Sequence, residues 1–300
     1  MKVLITGGAG YLGSVMVERM LYLNYRVVVL DNFRHGVASL NHVIENPLLT
    51  IVRGDTRLAK TLDLLPSDFD IVIPLAALVG VTECDKDETA AMTTNYGAIV
   101  ELVSRWPKAR FIFPNTNSGY GTSGESICTE TSPLKPVSLY GQTKCNAERV
   151  IMSRSGSTVF RLATVFGMSP RMRWDLMVNN FVYRAVRERC LVLFQSHYRR
   201  NFVHVKDVAR AFIWAIEARN KAYDQIFNLG LDSANMTKLE LAQEVDKFAR
   251  CEIVEAPYSK DPDQRDYFVS NDKISKAGFF PQYTIEDGIV ELIKGVQQYE

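Results

Sequence analysis

The chain opens with a short apolar run, KVLIT, that gives way at once to GGAGYLGS. Glycines at 7, 10 and 13 form G-x-x-G-x-x-G, and those at 8, 10 and 13 also satisfy G-x-G-x-x-G. Positions without a Cβ allow a strand, a tight turn and a helix to lie close together. They also leave the first backbone amides of that helix open to an anion. Glycines alone are weak evidence, since ordinary turns use them too. A strand before the turn and a helical pattern after it point to a dinucleotide's pyrophosphate.

Strand and helix then alternate along the chain. RVVVLD, LTIVRGD, DIVIPLAA, RFIFPNTN and STVFRLATVFG read as strands, with helical stretches near Tyr11–Asn24, Thr56–Leu65, Asp85–Trp106 and Pro136–Ser153 between them. Strands apolar on both faces and separated by helices form a parallel sheet covered on each side. The predicted fold class is therefore α/β, a Rossmann-type doubly wound sheet with a smaller C-terminal α/β substrate domain. After Gly167 the rhythm breaks: a basic loop, a helix to about Arg189, then CLVLF, NFVHV, QIFNLG and IVEAP as short strands among helices. The expected division places residues 1–167 and 200–230 in a dinucleotide-binding domain. Residues 168–199 and 231–300 would form a discontinuous second domain.

Charge and composition narrow the partners. A formal net charge of +1 over 300 residues gives no field for nucleic acid or an anionic membrane, so none is expected. No apolar run is long enough to span a bilayer, and Met1 leads into the first strand without a signal-peptide pattern. Five scattered cysteines without C-x-x-C fit a reduced, cytoplasmic setting, and the four histidines show no metal spacing, so no metal is expected.

In a doubly wound sheet, ligands meet the carboxyl ends of the strands. Asp31 ends the second strand, where a carboxylate can accept from a ribose and would repel a 2′-phosphate, favouring NAD over NADP; nearby Arg34 blurs that distinction. Asp55 and Thr56 end the third strand, where Asp55 reads either as an adenine contact or as a helix N-cap. LAALVG, Leu75 to Gly80, ends the fourth with small residues that would let a cofactor pass. Thr116 ends the fifth. Tyr140 and Lys144 in SLYGQTK stand four apart on one helix face. They read either as a proton-transfer pair or as two surface residues.

TGGAGYLG, Asp31, LAALVG, the threonine before Tyr-Gly and Y-x-x-x-K together resemble the extended short-chain dehydrogenase/reductases, specifically the NAD-dependent nucleotide-sugar epimerases and dehydratases. RLATVFG, RRNFVHVKDVARAF and the R-D-Y of DPDQRDYFVSN extend the resemblance over nearly the whole chain. PLAALVG, PNTNSGYG and FRLATVFGMSPRMR are most similar to the GDP-manno-heptose 4-dehydrogenases of bacterial capsule pathways.

The resemblance implies NAD as cofactor, held by Gly7, Gly10, Tyr11, Leu12, Gly13, Asp31, Asn32, Asp55, Thr56, Leu75, Ala76, Ala77, Asn95, Tyr140 and Lys144. It implies Thr116, Tyr140 and Lys144 as the catalytic group, and Val79, Asn117, Asn179, Arg200 and Arg265 as contacts to a nucleotide-diphosphate sugar, GDP-linked by preference. For the two arginines the alternative is surface salt bridging. Asn117 and Ser118 replace the Asp-Glu pair of the 4,6-dehydratases, which argues against dehydration. Thr164 replaces an asparagine common among relatives. Cys145 reads as packing and His204 as a structural residue between strand and helix. The implied reaction is oxidation at C4, with a 4-epimerase retaining NADH as the alternative and a non-catalytic NAD-binding regulatory module as a remote one. A homodimer pairing the helices near Asp85–Trp106 and Pro136–Ser153 is expected.

Overall fold

The computed structural model describes residues 1–122, 127–256 and 266–298. We number the strands of the main sheet β1 (Lys2–Thr6), β2 (Arg26–Asp31), β3 (Leu49–Arg53), β4 (Ile71–Pro74), β5 (Arg110–Thr116), β6 (Thr158–Leu162) and β7 (Gln225–Leu229). The longer helices are α1 (Tyr11–Tyr22), α2 (Ala98–Arg105), α3 (Leu139–Met152), α4 (Met177–Glu188), α5 (Val205–Glu217), α6 (Lys238–Ala249) and α7 (Ile285–Gln298).

The seven strands lie in the order β7-β6-β5-β4-β1-β2-β3, and every pairing is parallel. The chain starts in the middle, winds out to β3, then returns to β4 and winds the other way. The reversal falls between β1 and β4, where Thr6 sits opposite Pro74. A crevice opens at such a point because the connections on either side leave in opposite directions.

The unbroken apolar runs are explained by which side each residue faces. Val3, Ile5, Val27, Val29, Ile71, Ile73, Ile112 and Phe160 join the core that includes Met16, Val17 and Met20 of α1 and Val208, Phe212 and Ile216 of α5. Leu4, Val28, Leu30, Val72, Phe111, Phe113 and Val159 face the other side, toward Ile99 and Leu102 of α2 and Ala147 and Ile151 of α3. Alternate residues of one strand serve two cores, so both faces must be apolar. A third core gathers Phe166 and Phe202 with Val178 and Val182 of α4, Leu241 and Val245 of α6, and Ile289 and Leu292 of α7.

Three expected elements differ in the structure. STVFRLATVFG is two strands: β6 ends at Leu162, Ala163 donates its N–H to Leu229 O at 2.9 Å, and Thr164–Phe166 pairs with Phe202–His204 in a separate three-stranded sheet. The helix expected over Asp85–Trp106 is broken. Asp87, extended at φ −148°, caps a new short helix by accepting from Ala90 N, and Thr93–Gly97 forms a π turn before α2. The stretch Thr56–Leu65 is helical only over Ala59–Leu62, because Leu58 is extended and serves as the N-cap. Asp55 is therefore not the N-cap that one reading expected; it binds Arg57 instead.

Candidate active site

The glycine turn is closed by backbone on two sides. A Cβ on Gly13 would lie 2.3 Å from Gly7 O and 2.7 Å from Gly8 Cα. Gly7 itself sits at φ +73°, and a Cβ there would lie 2.6 Å from Ala76 N. Gly7 and Gly13 thus draw β1, α1 and the end of β4 together. Around Gly10 only Gly7 O comes near an added Cβ, at 3.1 Å, so space remains over the start of α1. The first-turn amides of Tyr11, Leu12 and Gly13 have no acceptor within the helix. The Tyr11 ring turns inward: its hydroxyl donates to Gly167 O at 2.7 Å, and burial pushes the phenol's pKa up.

Asp31 follows at the end of β2. One carboxylate oxygen accepts from Ala9 N at 2.9 Å and the other from Phe33 N at 2.8 Å, leaving each a further lone pair. Asn32 is exposed and accepts from Arg34 N at 3.0 Å. Asp55 takes Arg57 in a two-pronged pair, and Arg57's guanidinium is the largest cause lowering its pKa. Thr56 is buried beside it.

Leu75, Ala76 and Ala77, all part-buried, leave β4 beside Gly7, with Val79 exposed beyond them. Asn95, from the π turn, fixes this stretch: its amide oxygen accepts from Leu78 N at 2.8 Å and its nitrogen donates to Leu78 O at 2.9 Å. The same nitrogen lies 3.3 Å from Thr143 Oγ1 on α3. Asn95 thus shapes the crevice wall through the backbone. Asn179 is likewise internal, not open to a nucleotide as expected. Its oxygen accepts from Gly167 N at 3.0 Å, while its nitrogen donates to Arg173 O at 2.9 Å and Tyr11 Oη at 3.3 Å.

The third group sits where α3 crosses β5. Ser138 caps the helix by accepting from Gly141 N at 3.2 Å, so Tyr140 and Lys144 lie in its first two turns. Tyr140 is half-buried. Lys144 is 4% exposed, its ammonium 4.0 Å from the centroid of the Phe113 ring on β5, and burial pulls its pKa down to about 7. Thr116 ends the same strand. Its hydroxyl donates to Ser118 Oγ at 2.8 Å and accepts from Ser118 N at 3.1 Å. Asn117, beside it, is fully buried, and neither amide atom finds a hydrogen-bond partner. Cys145 is buried against Gly119, where a Cβ would meet its sulfur at 2.9 Å.

Behind Thr116 runs a buried polar network that the sequence reading missed. Asn115 accepts from Thr116 N at 2.8 Å and donates to Glu148, which lies one turn beyond Lys144 on α3. Arg161 of β6 pairs with Glu148 at 2.7 Å and donates to Tyr120 Oη at 3.0 Å. The signal available was a charge inside an apolar strand, TVFRL, and a carboxylate at i+8 from Tyr140.

Arg200 is not at the surface, as the salt-bridging alternative would have it: it lies on the strand Arg199–His204, 1% exposed, with its guanidinium 5.5 Å from the Tyr267 ring centroid. Arg265 lies outside the described residues. His204 ends that strand and caps α5 by accepting from Lys206 N, while its other ring nitrogen is 2.8 Å from Glu291.

A glycine turn that a Cβ would fill, an open helix start and a carboxylate at the end of β2 together suit a dinucleotide with unmodified ribose. The model of the family described as "NAD dependent epimerase/dehydratase family" matches residues 3–230. The chain belongs to that family. It is an enzyme, and NAD is its cofactor. Among relatives, it is 25% identical over 311 residues to UDP-glucuronic acid decarboxylase 1 of Arabidopsis thaliana, covering 98% of this chain and 69% of that protein. The UDP-glucose 4-epimerase of Thermotoga maritima, solved with UDP-glucose, superposes with a TM-score of 0.87 at 25% identity, over 100% of this chain and 99% of that one. The UDP-glucuronic acid 4-epimerase of Bacillus cereus, solved with UDP-glucuronic acid and NAD, gives 0.88 at 23% identity over all of both chains.

Proposed function

We propose that the enzyme oxidises the C4 hydroxyl of a nucleotide-diphosphate sugar to the 4-keto sugar, with GDP-linked sugars of the manno-heptose kind favoured. The observation that carries this reading is Lys144, buried against Phe113 on the helix face it shares with Tyr140, beside the strand that ends in Thr116. A free phenol has a pKa of about 10 and is a poor base at neutral pH. An ammonium one helical turn away favours the phenolate, so Tyr140 can take the C4 hydroxyl proton. Thr116 would turn its hydroxyl hydrogen from Ser118 to the same sugar oxygen, while Ser118 N still holds it. NAD, when bound, accepts the hydride from C4. Gly7, Gly10, Tyr11, Leu12 and Gly13 would hold its diphosphate, Asp31 and Asn32 a ribose, Asp55 and Thr56 the adenine end, and Leu75 to Ala77 the crevice wall.

The sugar nucleotide would lie between residues 1–167 with 200–230 on one side and 168–199 with 231–300 on the other. Arg200 and Arg265 would meet its diphosphate and Val79 the sugar, whereas Asn117, also expected to meet the sugar, is fully buried. Asn117 and Ser118 offer no carboxylate for eliminating water after oxidation, which weighs against dehydration. A 4-epimerase is the second reading, favoured by the relatives named as 4-epimerases. The test is a panel of GDP-, UDP-, CDP- and dTDP-sugars with NAD, monitored by NADH absorbance and product NMR. NADH with a 4-keto sugar supports the dehydrogenase, and a C4 epimer without net NADH supports the epimerase. Tyr140→Phe should lose turnover while keeping bound NAD; full activity in that variant refutes the assignment.

A further inference from the structure

A cavity of about 490 Å³ lies between His35–Ser39, which follow β2, and Pro170–Met172, which follow the turn at Gly167. Its two walls are tied to the residues on either side of Gly10. Ser39 Oγ donates to Ala9 O at 2.8 Å, and Ser169 Oγ donates to Tyr11 O at 2.7 Å. The cavity therefore flanks the glycine turn, at the start of α1, and stands apart from Thr116.

Its charge is one-sided. Arg173 is paired with Asp175, and Arg34 with Glu83 at 3.4 Å. Arg171, part-buried on the cavity wall, makes no ion pair or side-chain hydrogen bond among the described residues; its backbone N–H is fixed by Ser169 Oγ at 3.3 Å. Facing it is His35, whose pKa is lowered first by burial and next by the Arg171 guanidinium. Two carboxylates act on this pair through space, but Asp31 already accepts from two backbone amides, and Asp175, which acts on Arg171, is bound to Arg173. A guanidinium without an ion pair of its own, on the wall of a cavity tied to the residues on either side of Gly10, suits an anion held against the start of α1.

We propose that Arg171 binds the diphosphate of the NAD cofactor from the side opposite α1, so that the dinucleotide is clamped between the glycine turn and the segment after Gly167. This rests on the NAD assignment and adds to it a cation that the glycine motif does not contain. The sugar nucleotide also carries a diphosphate, but Arg200, a cation proposed for it, does not line this cavity.

The test compares wild type, Arg171→Gln and Arg171→Lys by calorimetric titration with NAD, ADP-ribose, adenosine, GDP and UDP, with far-UV circular dichroism to establish folding. Loss of one charge-assisted bond should raise the Kd of NAD and ADP-ribose roughly tenfold to hundredfold. Arg171→Lys should fall between, and adenosine, GDP and UDP should be unchanged. ADP-ribose should also shield Arg171 of the wild type from phenylglyoxal, a readout independent of any variant. Equal NAD affinity in wild type and Arg171→Gln overturns the proposal, as does modification of Arg171 at the same rate with and without ADP-ribose. Weakened GDP or UDP binding with NAD unaffected also overturns it, giving the arginine to the other diphosphate. Wild type that binds no NAD at all would instead contradict the cofactor assignment.

Discussion

Lys144 is a cation in a dry place. No carboxylate pairs with it among the described residues, and the Phe113 ring face supplies only partial compensation. Burial lowers its pKa from the usual 10.5 to about 7. The unfolded chain thus binds a proton at this site up to about pH 10.5 that the empty folded protein gives up above about pH 7. Stability contributed here rises with pH across that window and is lowest below it. Lys144→Met should therefore stabilise the cofactor-free protein at pH 6 by on the order of 2 kcal/mol, with the gain fading toward pH 10. Thermal melts of both proteins across that range would measure it; a variant that melts lower at pH 6 would contradict the account. The same variant should lose turnover, since the ammonium that favours the Tyr140 phenolate at neutral pH would be gone. A residue that destabilises the cofactor-free fold yet serves the proposed chemistry would be a local conflict of the kind found at working sites.

At the scale of elements, α3 is registered on β5 by charge as well as by packing. Glu148 is 5% exposed and Arg161 4% exposed, so each depends on the other for its counter-ion. Burial alone would lower the arginine's pKa, yet the hydrogen bond and charge of Glu148 raise it overall. Glu148→Gln leaves that guanidinium buried and uncompensated, and should cost about 3 kcal/mol in urea denaturation. Because Asn115 joins Glu148 to Thr116 N, kcat should fall more than KM rises. A stability loss with kcat unchanged would make the network structural only. This network also marks the limit of what the sequence disclosed. The glycine turn, the seven strands of the sheet and the helix carrying Tyr140 and Lys144 were legible because local spacing dictates them. Asn95 and Asn179 were read as ligand contacts; in the structure both hold backbone groups brought in by folding, Leu78 lying 17 residues before Asn95 and Gly167 lying 12 before Asn179. The break at Ala163 was hidden for the same reason, since only the distant Leu229 and Phe202 show which sheet each half joins.

For the whole molecule, the question is what the outer side of α2 meets. This helix and the segment before it cover the face of the sheet on which α3 lies, with Ile99 and Leu102 pointing inward. On the other side Met92 is 39% exposed and Val100 is 42% exposed, apolar side chains turned to solvent near the helix that carries Tyr140 and Lys144. Single exposed apolar residues are ordinary, but a second copy of this chain pairing its α2 and α3 with these would cover them and brace the helix that carries Tyr140 and Lys144. We therefore expect a two-fold dimer through these helices. Light scattering at micromolar concentration should report twice the chain's 33.9 kDa. Val100→Glu would place two carboxylates near the axis of that dimer, where like charges repel without access to full hydration. It should shift the protein toward monomer at the same concentration, with NAD binding retained because α1, which follows the glycine turn, packs on the opposite face of the sheet from α2. A wild type that scatters as a monomer would refute the arrangement. A variant that remains dimeric would move the interface elsewhere and leave Met92 and Val100 as ordinary surface.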